Sequence, residues 1–434
     1  MAKPSLAREG ILAPKLGFWM ATALVMGNMI GSGVFLLPAQ LAPFGWNGVA
    51  GWAITIAGSL CLALAISRMT LAMPDEGGAA GFVAKAFGPV PGFLVGWAYW
   101  VSIWTTTVTI AVAAISYLSI FVPALGNHAA LAALALLWAI TAINLRGVRL
   151  AGGFQAVTLL IKLVPLIAVI VLIMLVLAQQ GTSVVTPFPV QGLSAAAVNG
   201  SAILTLWAML GFESASVAND KVADPARTIP RATMAGTIAT GLIYLIVCSG
   251  IALMLPARLV AGSPAPFAVF VETYWAHGPA MLVALFAAVS AIGALNGWAL
   301  MQGVLPAAMA RRGLLPGWLG QETKTGVPAR ALVIASLISS VFILINADKS
   351  TGKLFEFMAV LSTSATLWLY VACAAAALRF RIAIPVAGLG LVYAIWTIWG
   401  ADLKTSAMSF VLMIAGLPLY WLARRSAPPA QPAP

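Results

Sequence analysis

The stretch GNMIGSGVF, residues 27–35, interrupts the first long apolar segment of the chain with three glycines, an asparagine and a serine. A helix that crosses a lipid bilayer must satisfy its backbone hydrogen bonds internally, so this composition predicts a local break in a spanning helix. Gly27 and Gly31 also form a GxxxG pair, which commonly marks close helix packing. The stretch alone leaves both interpretations open.

The composition around it is that of a polytopic membrane protein. The chain has 434 residues, of which 62% are hydrophobic and only 8% charged, whereas an ordinary soluble domain is about 25% charged. Apolar periodicity and length predict an all-α membrane protein with twelve transmembrane helices. The predicted spans are 18–42, 47–68, 91–122, 128–146, 152–179, 195–212, 231–255, 278–305, 329–346, 354–380, 382–399 and 405–423.

The basic residues alternate between the two ends of these spans. Of the 23 lysines and arginines, 18 lie in the N-terminus, alternate loops and the C-terminus, namely Lys3, Arg8, Lys15, Arg68, Lys85, Arg146, Arg149, Lys221, Arg227, Arg231, Arg311, Arg312, Lys324, Arg330, Arg379, Arg381, Arg424 and Arg425. The opposite loops hold only Arg258, Lys349, Lys353 and Lys404, and Lys162 lies inside a span. Loops rich in lysine and arginine face the cytoplasm, so both termini are predicted to be cytoplasmic. The net charge of +12 has the same origin and does not indicate a nucleic-acid partner.

A second interruption lies five spans after the first. Span 6 contains TLWAMLGFESASVAND, residues 205–220, with Gly211 and Glu213 where an apolar helix should continue. The odd offset predicts two five-helix units of opposite topology, 18–179 and 195–380, followed by helices 11 and 12 in 382–423. Residues 1–17 and 424–434 are predicted to be a cytoplasmic N-terminus and a disordered tail. Paired breaks point to a transporter site, in which free amides favour a carboxylate and free carbonyls an ammonium.

Three stretches carry a resemblance to a known family: GNMIGSGVFLLPAQLA (27–42), TLWAMLGFESASVANDKVADPARTIPRAT (205–233) and LNGWALMQGVLPAAMARRGLLP (295–316). They resemble the amino acid–polyamine–organocation superfamily, and within it the basic amino-acid and polyamine antiporters of the arginine/agmatine type. This resemblance implies a LeuT-type five-plus-five inverted repeat with broken helices 1 and 6, two extra helices, and often a homodimer.

The resemblance also implies a substrate site and a gate. Ser32, with the amides around Gly31 and Gly33, would bind the substrate carboxylate. The α-amino group would meet carbonyls near Trp207 and Ala208, and at Met29 or Ile30. Tyr99, Trp207 and Trp298 would be aromatic gates, and Glu213 a proton-sensing gate residue.

Other polar side chains are further candidates for the same region. Lys162 lies near the middle of span 5, and a charge at that depth needs a partner. In related transporters a lysine at this place replaces a sodium ion, and Ser290 and the carbonyls near Met29 are its expected partners here. Asn28 borders the break, and Thr107 and Ser362 are expected to line the cavity. Thr107 reaches less far than the amide of arginine/agmatine antiporters, which weakens the case for a guanidinium ligand.

The leading functional prediction is a secondary amino-acid antiporter of the bacterial inner membrane that exchanges a basic amino acid for a related amine or amino acid. A proton-coupled symporter or exchanger of neutral amino acids, and a nutrient sensor with a transporter fold, remain alternatives. An enzyme is not predicted, because no nucleophile–base pair is evident. Neither a metal site nor a cofactor is predicted, because Cys61, Cys248 and Cys373 form no CxxC pair. The expected partners are the lipid bilayer and a small substrate.

Overall fold

The first half of the chain forms one bent span followed by four long helices. The computed structural model describes residues 17–31, 33–74, 78–213, 222 and 224–426, with the backbone alone at 148–160 and 426. The predicted N-terminal segment before Gly17 and the Pro-rich tail after Ser426 lie outside the described residues. The helices of this half are α1 (Phe18–Met29), α2 (Gly33–Leu41), α3 (Trp46–Ala72), α4 (Ala79–Phe87), α5 (Pro89–Leu118), α6 (Pro123–Asn127), α7 (Ala129–Arg146) and α8 (Val148–Gln180).

The second half begins with a short helix that ends at the second interruption. Its helices are α9 (Ala195–Met209), α10 (Pro225–Met254), α11 (Ala257–Val260), α12 (Pro266–Tyr274), α13 (His277–Arg311), α14 (Ala329–Ile345), α15 (Thr351–Arg379), α16 (Ile384–Gly400), α17 (Leu403–Ile414) and α18 (Leu417–Ser426).

The longer apolar helices among these account for twelve membrane spans. Within the described residues, eight helical segments are long and apolar enough to cross a membrane, and α1 and α2 form a ninth span that bends by 51°. Three shorter apolar helices, α9, α14 and α16, supply the rest. The predicted all-α, twelve-helix fold is confirmed.

The largest differences from the predicted helix boundaries, six residues each, occur at the start of α10 and at the end of α13. α10 begins at Pro225 rather than at 231, and α13 continues to Arg311 rather than ending at 305. Proline fits the first turn of a helix, where its missing amide has no partner to lose. Hydropathy follows only the apolar part of a span, so it does not detect turns that carry arginine and extend past the membrane.

α5 lies at the centre of the bundle. In the most apolar stretch of α5, 94% is buried inside the protein, whereas in the corresponding stretch of α7, at the periphery, only 28% is buried. α5 packs against α13 and α15, α13 packs against α8, and α10 packs against both α1 and α3. The two helix breaks therefore face a fully packed interior rather than lipid.

Candidate functional site

The first helix break lies between Met29 and Gly33. α1 ends at Met29, and Ile30 (φ −73°, ψ 86°) turns the backbone out of the helix. The Gly31 amide donates to the Met29 carbonyl at 2.8 Å, which is the hydrogen bond of an inverse γ-turn. The helix resumes at Gly33. The stretch is therefore a true break. Ser32 lies outside the described residues, so its predicted contact with a carboxylate stays a prediction.

Side chains from two other helices satisfy carbonyls at this break. The Lys162 Nζ on α8 donates to the Gly27 carbonyl at 3.2 Å, and the lysine side chain is only 1% exposed. The Tyr244 hydroxyl on α10 donates to the Met29 carbonyl at 2.8 Å. An unpaired carbonyl is costly where no water reaches it, so these two donors stabilise the broken geometry. They also occupy acceptors that a substrate ammonium would otherwise use.

The second break touches the first. α9 ends at Met209, and Gly211 then adopts φ +105°, a conformation that favours glycine. A β-carbon added at Gly211 would lie 3.2 Å from the carbonyl carbon and oxygen of Asn28. Gly211 therefore serves both the turn and the close approach of the two interrupted spans.

The Trp207 indole lies directly on the restart of span 1. A β-carbon added at Gly33 would overlap the six-membered ring of Trp207, so any other residue at this position would force the indole to move. Phe355 on α15 packs edge-on against the indole, with ring centroids 5.2 Å apart. The Trp207 side chain is buried, and its Nε1 has no hydrogen-bond partner within the described part of the chain.

A small cavity lies between the two breaks, α5 and α13. Its volume is 20 Å³, room for about one water molecule, so an amino acid does not fit in this conformation. No charged side chain is among its described lining. The aromatic, amide, hydroxyl and backbone groups that surround it belong to Asn28, Met29, Gly31, Gly33, Thr106, Ile110, Trp207, Ala208, Leu210 and Trp298.

Seven of the residues predicted for the substrate site therefore line one cavity: Asn28, Met29, Gly31, Gly33, Trp207, Ala208 and Trp298. Three other residues predicted for the substrate site, Ile30, Thr107 and Ser362, do not line it, and neither does Ser290, which was predicted as a partner of Lys162. Ile30 and Ser290 are buried, and the Ser290 hydroxyl has no hydrogen-bond partner in the described ranges. The Thr107 hydroxyl donates to the Ile103 carbonyl of its own helix at 2.9 Å. Ser362 contacts α5 without reaching the cavity, as described below.

Sequence reasoning considered Thr106 but selected its neighbour Thr107, and it missed Ile110 and Leu210. One signal was present for Thr106 and Ile110. Residues seven and eleven positions after Tyr99, a predicted gate residue, lie on the same face of a helix. Those positions are Thr106 and Ile110, whereas Thr107 is rotated by about 100° from that face.

A second polar cluster forms around Glu213, just after the second break. The Tyr99 hydroxyl on α5 donates to Glu213 Oε1 at 2.7 Å, and the Tyr370 hydroxyl on α15 donates to Oε2 at 3.3 Å. The Tyr370 ring also stacks on Phe212, with centroids 5.1 Å apart. Two predicted gate residues, Tyr99 and Glu213, are thus brought together, and Tyr370 is a partner that the sequence did not reveal. The carboxylate links α9 to both α5 and α15.

Comparison with known proteins places this geometry in a family context. The family model described as amino acid permease matches residues 16–426. The cadaverine/lysine antiporter of Escherichia coli (strain K12) is 30% identical over 424 residues, covering 94% of this chain and 95% of the relative. A putative arginine/ornithine antiporter of Bacillus subtilis (strain 168) is 30% identical, covering 94% and 96%. The putrescine transporter PotE of Escherichia coli (strain K12) is 27% identical, also covering 94% and 96%.

Proposed function

We propose that this chain, which belongs to the amino acid permease family, is a secondary active antiporter that exchanges a basic amino acid for a related amine or amino acid. Family membership makes it a multi-pass membrane transporter and not an enzyme, as its sequence predicted. The relatives are named as antiporters or transporters of cadaverine, lysine, arginine, ornithine or putrescine. The observation that carries the proposal is the cavity at which two broken spans meet, lined by Trp207 and Trp298.

The broken spans supply binding partners for the α-carboxylate and the α-ammonium group of an amino acid. The amides that follow Gly31, including that of Ser32, would bind the carboxylate at the start of α2, where the helix dipole favours an anion. The carbonyls near Trp207 and Ala208, at the end of α9, would bind the α-ammonium. The Met29 carbonyl is less available for this role, because Tyr244 and the Gly31 amide already donate to it.

The side-chain cation of the substrate would meet aromatic and neutral polar groups. The described lining of the cavity contains no carboxylate, so an ammonium or guanidinium would contact the faces of Trp207 and Trp298. Such cation–π contacts are worth roughly 1–2 kcal/mol when desolvated. Because neither contact is an ion pair, an amino acid and a decarboxylated amine can both bind and leave, as exchange requires.

Lys162 and Glu213 have separate roles in this mechanism. The buried Lys162 ammonium, bonded to the Gly27 carbonyl, occupies a place where a coupling sodium ion would otherwise bind. Glu213, held by Tyr99 and Tyr370, forms a gate that a proton weakens, because a protonated carboxyl is a poorer acceptor for two phenols. Alternating access would then move the broken spans, within two inverted five-helix repeats, against α5 and α13. Both termini would be cytoplasmic.

Liposomes with purified protein test the proposal. Labelled L-lysine, L-arginine or L-ornithine should enter liposomes loaded with an unlabelled basic amino acid, cadaverine or putrescine, and should not accumulate in empty ones. Uptake of leucine or alanine, with no uptake of basic substrates, would show a neutral amino-acid exchanger instead. Accumulation in empty liposomes driven by a pH gradient would show proton symport.

A further inference from the structure

Four threonines of α5 lie close together in sequence, and one of them behaves differently. The hydroxyls of Thr105, Thr107 and Thr109 donate to carbonyls four residues earlier in their own helix, at 2.8–2.9 Å. Thr106 instead bonds to another helix, with its Oγ1 2.6 Å from Ser362 Oγ on α15. Thr106 is also the only one of the four that lines the cavity.

The surrounding bonds fix which atom donates in this pair. Ser362 Oγ donates to the Ser102 carbonyl at 3.0 Å, the acceptor that Thr106 would use for an ordinary bond within its helix. Thr105 Oγ1 also lies 2.9 Å from that carbonyl. A hydroxyl has one proton and two acceptor lone pairs, so Ser362 has no proton for Thr106 while it donates to the Ser102 carbonyl. In this arrangement Thr106 donates to Ser362 and offers the cavity its acceptor lone pairs.

The other members of the cluster are consistent with this assignment. Thr366 Oγ1 donates to the Ser362 carbonyl at 3.1 Å, and Ser102 Oγ lies within hydrogen-bond distance of both Thr366 and Ser362. Ser102, Thr106, Ser362 and Thr366 are all buried between α5 and α15. Each hydroxyl proton thus has an acceptor inside the cluster.

We propose that Thr106 is the residue that recognises the distal cationic nitrogen of the substrate, with Ser362 as the positioning residue that turns its lone pairs toward the cavity. This inference rests on the proposed function. The broken spans line one side of the cavity and would hold the α-carbon groups, while Thr106, Ile110 and Trp298 line the wall formed by α5 and α13. A side chain extending from the breaks would reach that wall. There Thr106 offers an acceptor to an ammonium or guanidinium, whose N–H groups can only donate.

Binding of L-lysine and of L-norleucine, which lacks only the ε-ammonium, tests the assignment by calorimetry on the purified full-length protein. Thr106→Val removes the acceptor at nearly constant side-chain volume. It should lower the affinity for L-lysine about tenfold, because a hydrogen bond to a charged group is lost. Its norleucine affinity should not fall. Thr106→Ser should retain the preference for lysine. Thr109→Val is the matched control, because that hydroxyl serves only its own helix, and both affinities should stay unchanged.

Ser362→Ala tests the positioning role. It should free the Ser102 carbonyl for Thr106 and lower the lysine-to-norleucine preference, and combining it with Thr106→Val should add little further loss. An unchanged preference in Thr106→Val would overturn the inference while leaving the proposed antiporter intact. An equal loss of lysine and norleucine in Ser362→Ala would overturn the positioning role. If the unmodified protein binds norleucine as tightly as lysine, both the inference and the proposed basic substrate are wrong.

Discussion

Donors from other helices hold both helix breaks, but the acceptors at the two breaks differ. At the first break, backbone carbonyls of Gly27 and Met29 accept from Lys162 and Tyr244, which are donors brought by other helices. At the second break, the span brings its own acceptor, Glu213, and other helices again supply the donors. A lysine bonded to a backbone carbonyl can hold one span permanently. A carboxylate between two phenols can gain a proton, so the second break can respond to pH.

Gly211→Ala should have the largest effect, because it disturbs the contact between the breaks. A non-glycine residue at φ +105° is strained by about 1–3 kcal/mol, and the new β-carbon would also crowd Asn28. Exchange in liposomes should fall by more than about tenfold. Gly192→Ala is the control, since Gly192 also has positive φ but its β-carbon would meet no atom within 4 Å. Equal losses in the two variants would mean that strain alone, and not the meeting of the breaks, matters.

Lys162→Met should have the next largest effect, and it tests the permanent bond at the first break. The variant keeps an apolar stem but leaves the Gly27 carbonyl without this donor, which costs about 1–3 kcal/mol in a buried site. Initial exchange rates should fall about tenfold at every pH at which the protein stays folded. Lys353→Met, at an exposed position of α15, should leave the rate unchanged. A lysine variant with full activity would contradict the anchoring role.

Glu213→Gln should change the pH profile more than the rate at any one pH. The amide keeps an acceptor for Tyr99 but cannot gain or lose the proton. Because a proton weakens this gate, the exchange rate of the unmodified protein should rise as the pH falls and the carboxylate is protonated, whereas the variant should give a nearly flat profile. Rates measured from pH 5 to 8 with equal pH on both sides of the membrane would show this. If the pH profiles of the unmodified protein and of the variant run parallel, the pH-sensitive group is not Glu213.

The smallest expected effect separates the two tyrosines of the gate. Tyr99 lies 2.7 Å from the carboxylate and Tyr370 lies 3.3 Å from it, so Tyr99 makes the stronger hydrogen bond. Tyr99→Phe should therefore alter the rate about threefold more than Tyr370→Phe. Tyr393→Phe is a suitable control, because that buried hydroxyl on α16 is not one of the phenols that donate to Glu213. A larger effect at Tyr370 would reverse the assigned order.

The features predicted best from the sequence were those in which polar residues interrupt an apolar segment. Asparagine and glutamate are costly inside lipid and glycine weakens a helix, so the stretches around Gly31 and Gly211 stood out. Lys162 stood out for the same reason. Their expected roles in binding and gating remain predictions that the experiments above address.

Two kinds of feature could not be predicted from the sequence. The apolar pattern of α5 does not fix its rotation, because 94% of its most apolar stretch is buried and no apolar stripe marks a lipid-facing side. For this reason Thr107 was predicted to line the cavity, whereas in the structure Thr106 lines it. Only the spacing from Tyr99 indicates the face that carries Thr106. Tyr244 and Tyr370 were missed because their acceptors lie 215 and 157 positions away in the chain. No local periodicity records such partners.

The contact between Trp207 and Gly33 has a consequence for selectivity. The indole covers the backbone where α2 begins, which is the place proposed for the substrate carboxylate. Under that proposal every substrate competes with the ring, and part of its binding free energy is consumed in moving it. A ligand that merely fits by size recovers none of this cost, whereas a cation that stacks on the displaced indole recovers some of it. Tryptophan at 207 would then favour charged substrates before any other specific contact is made.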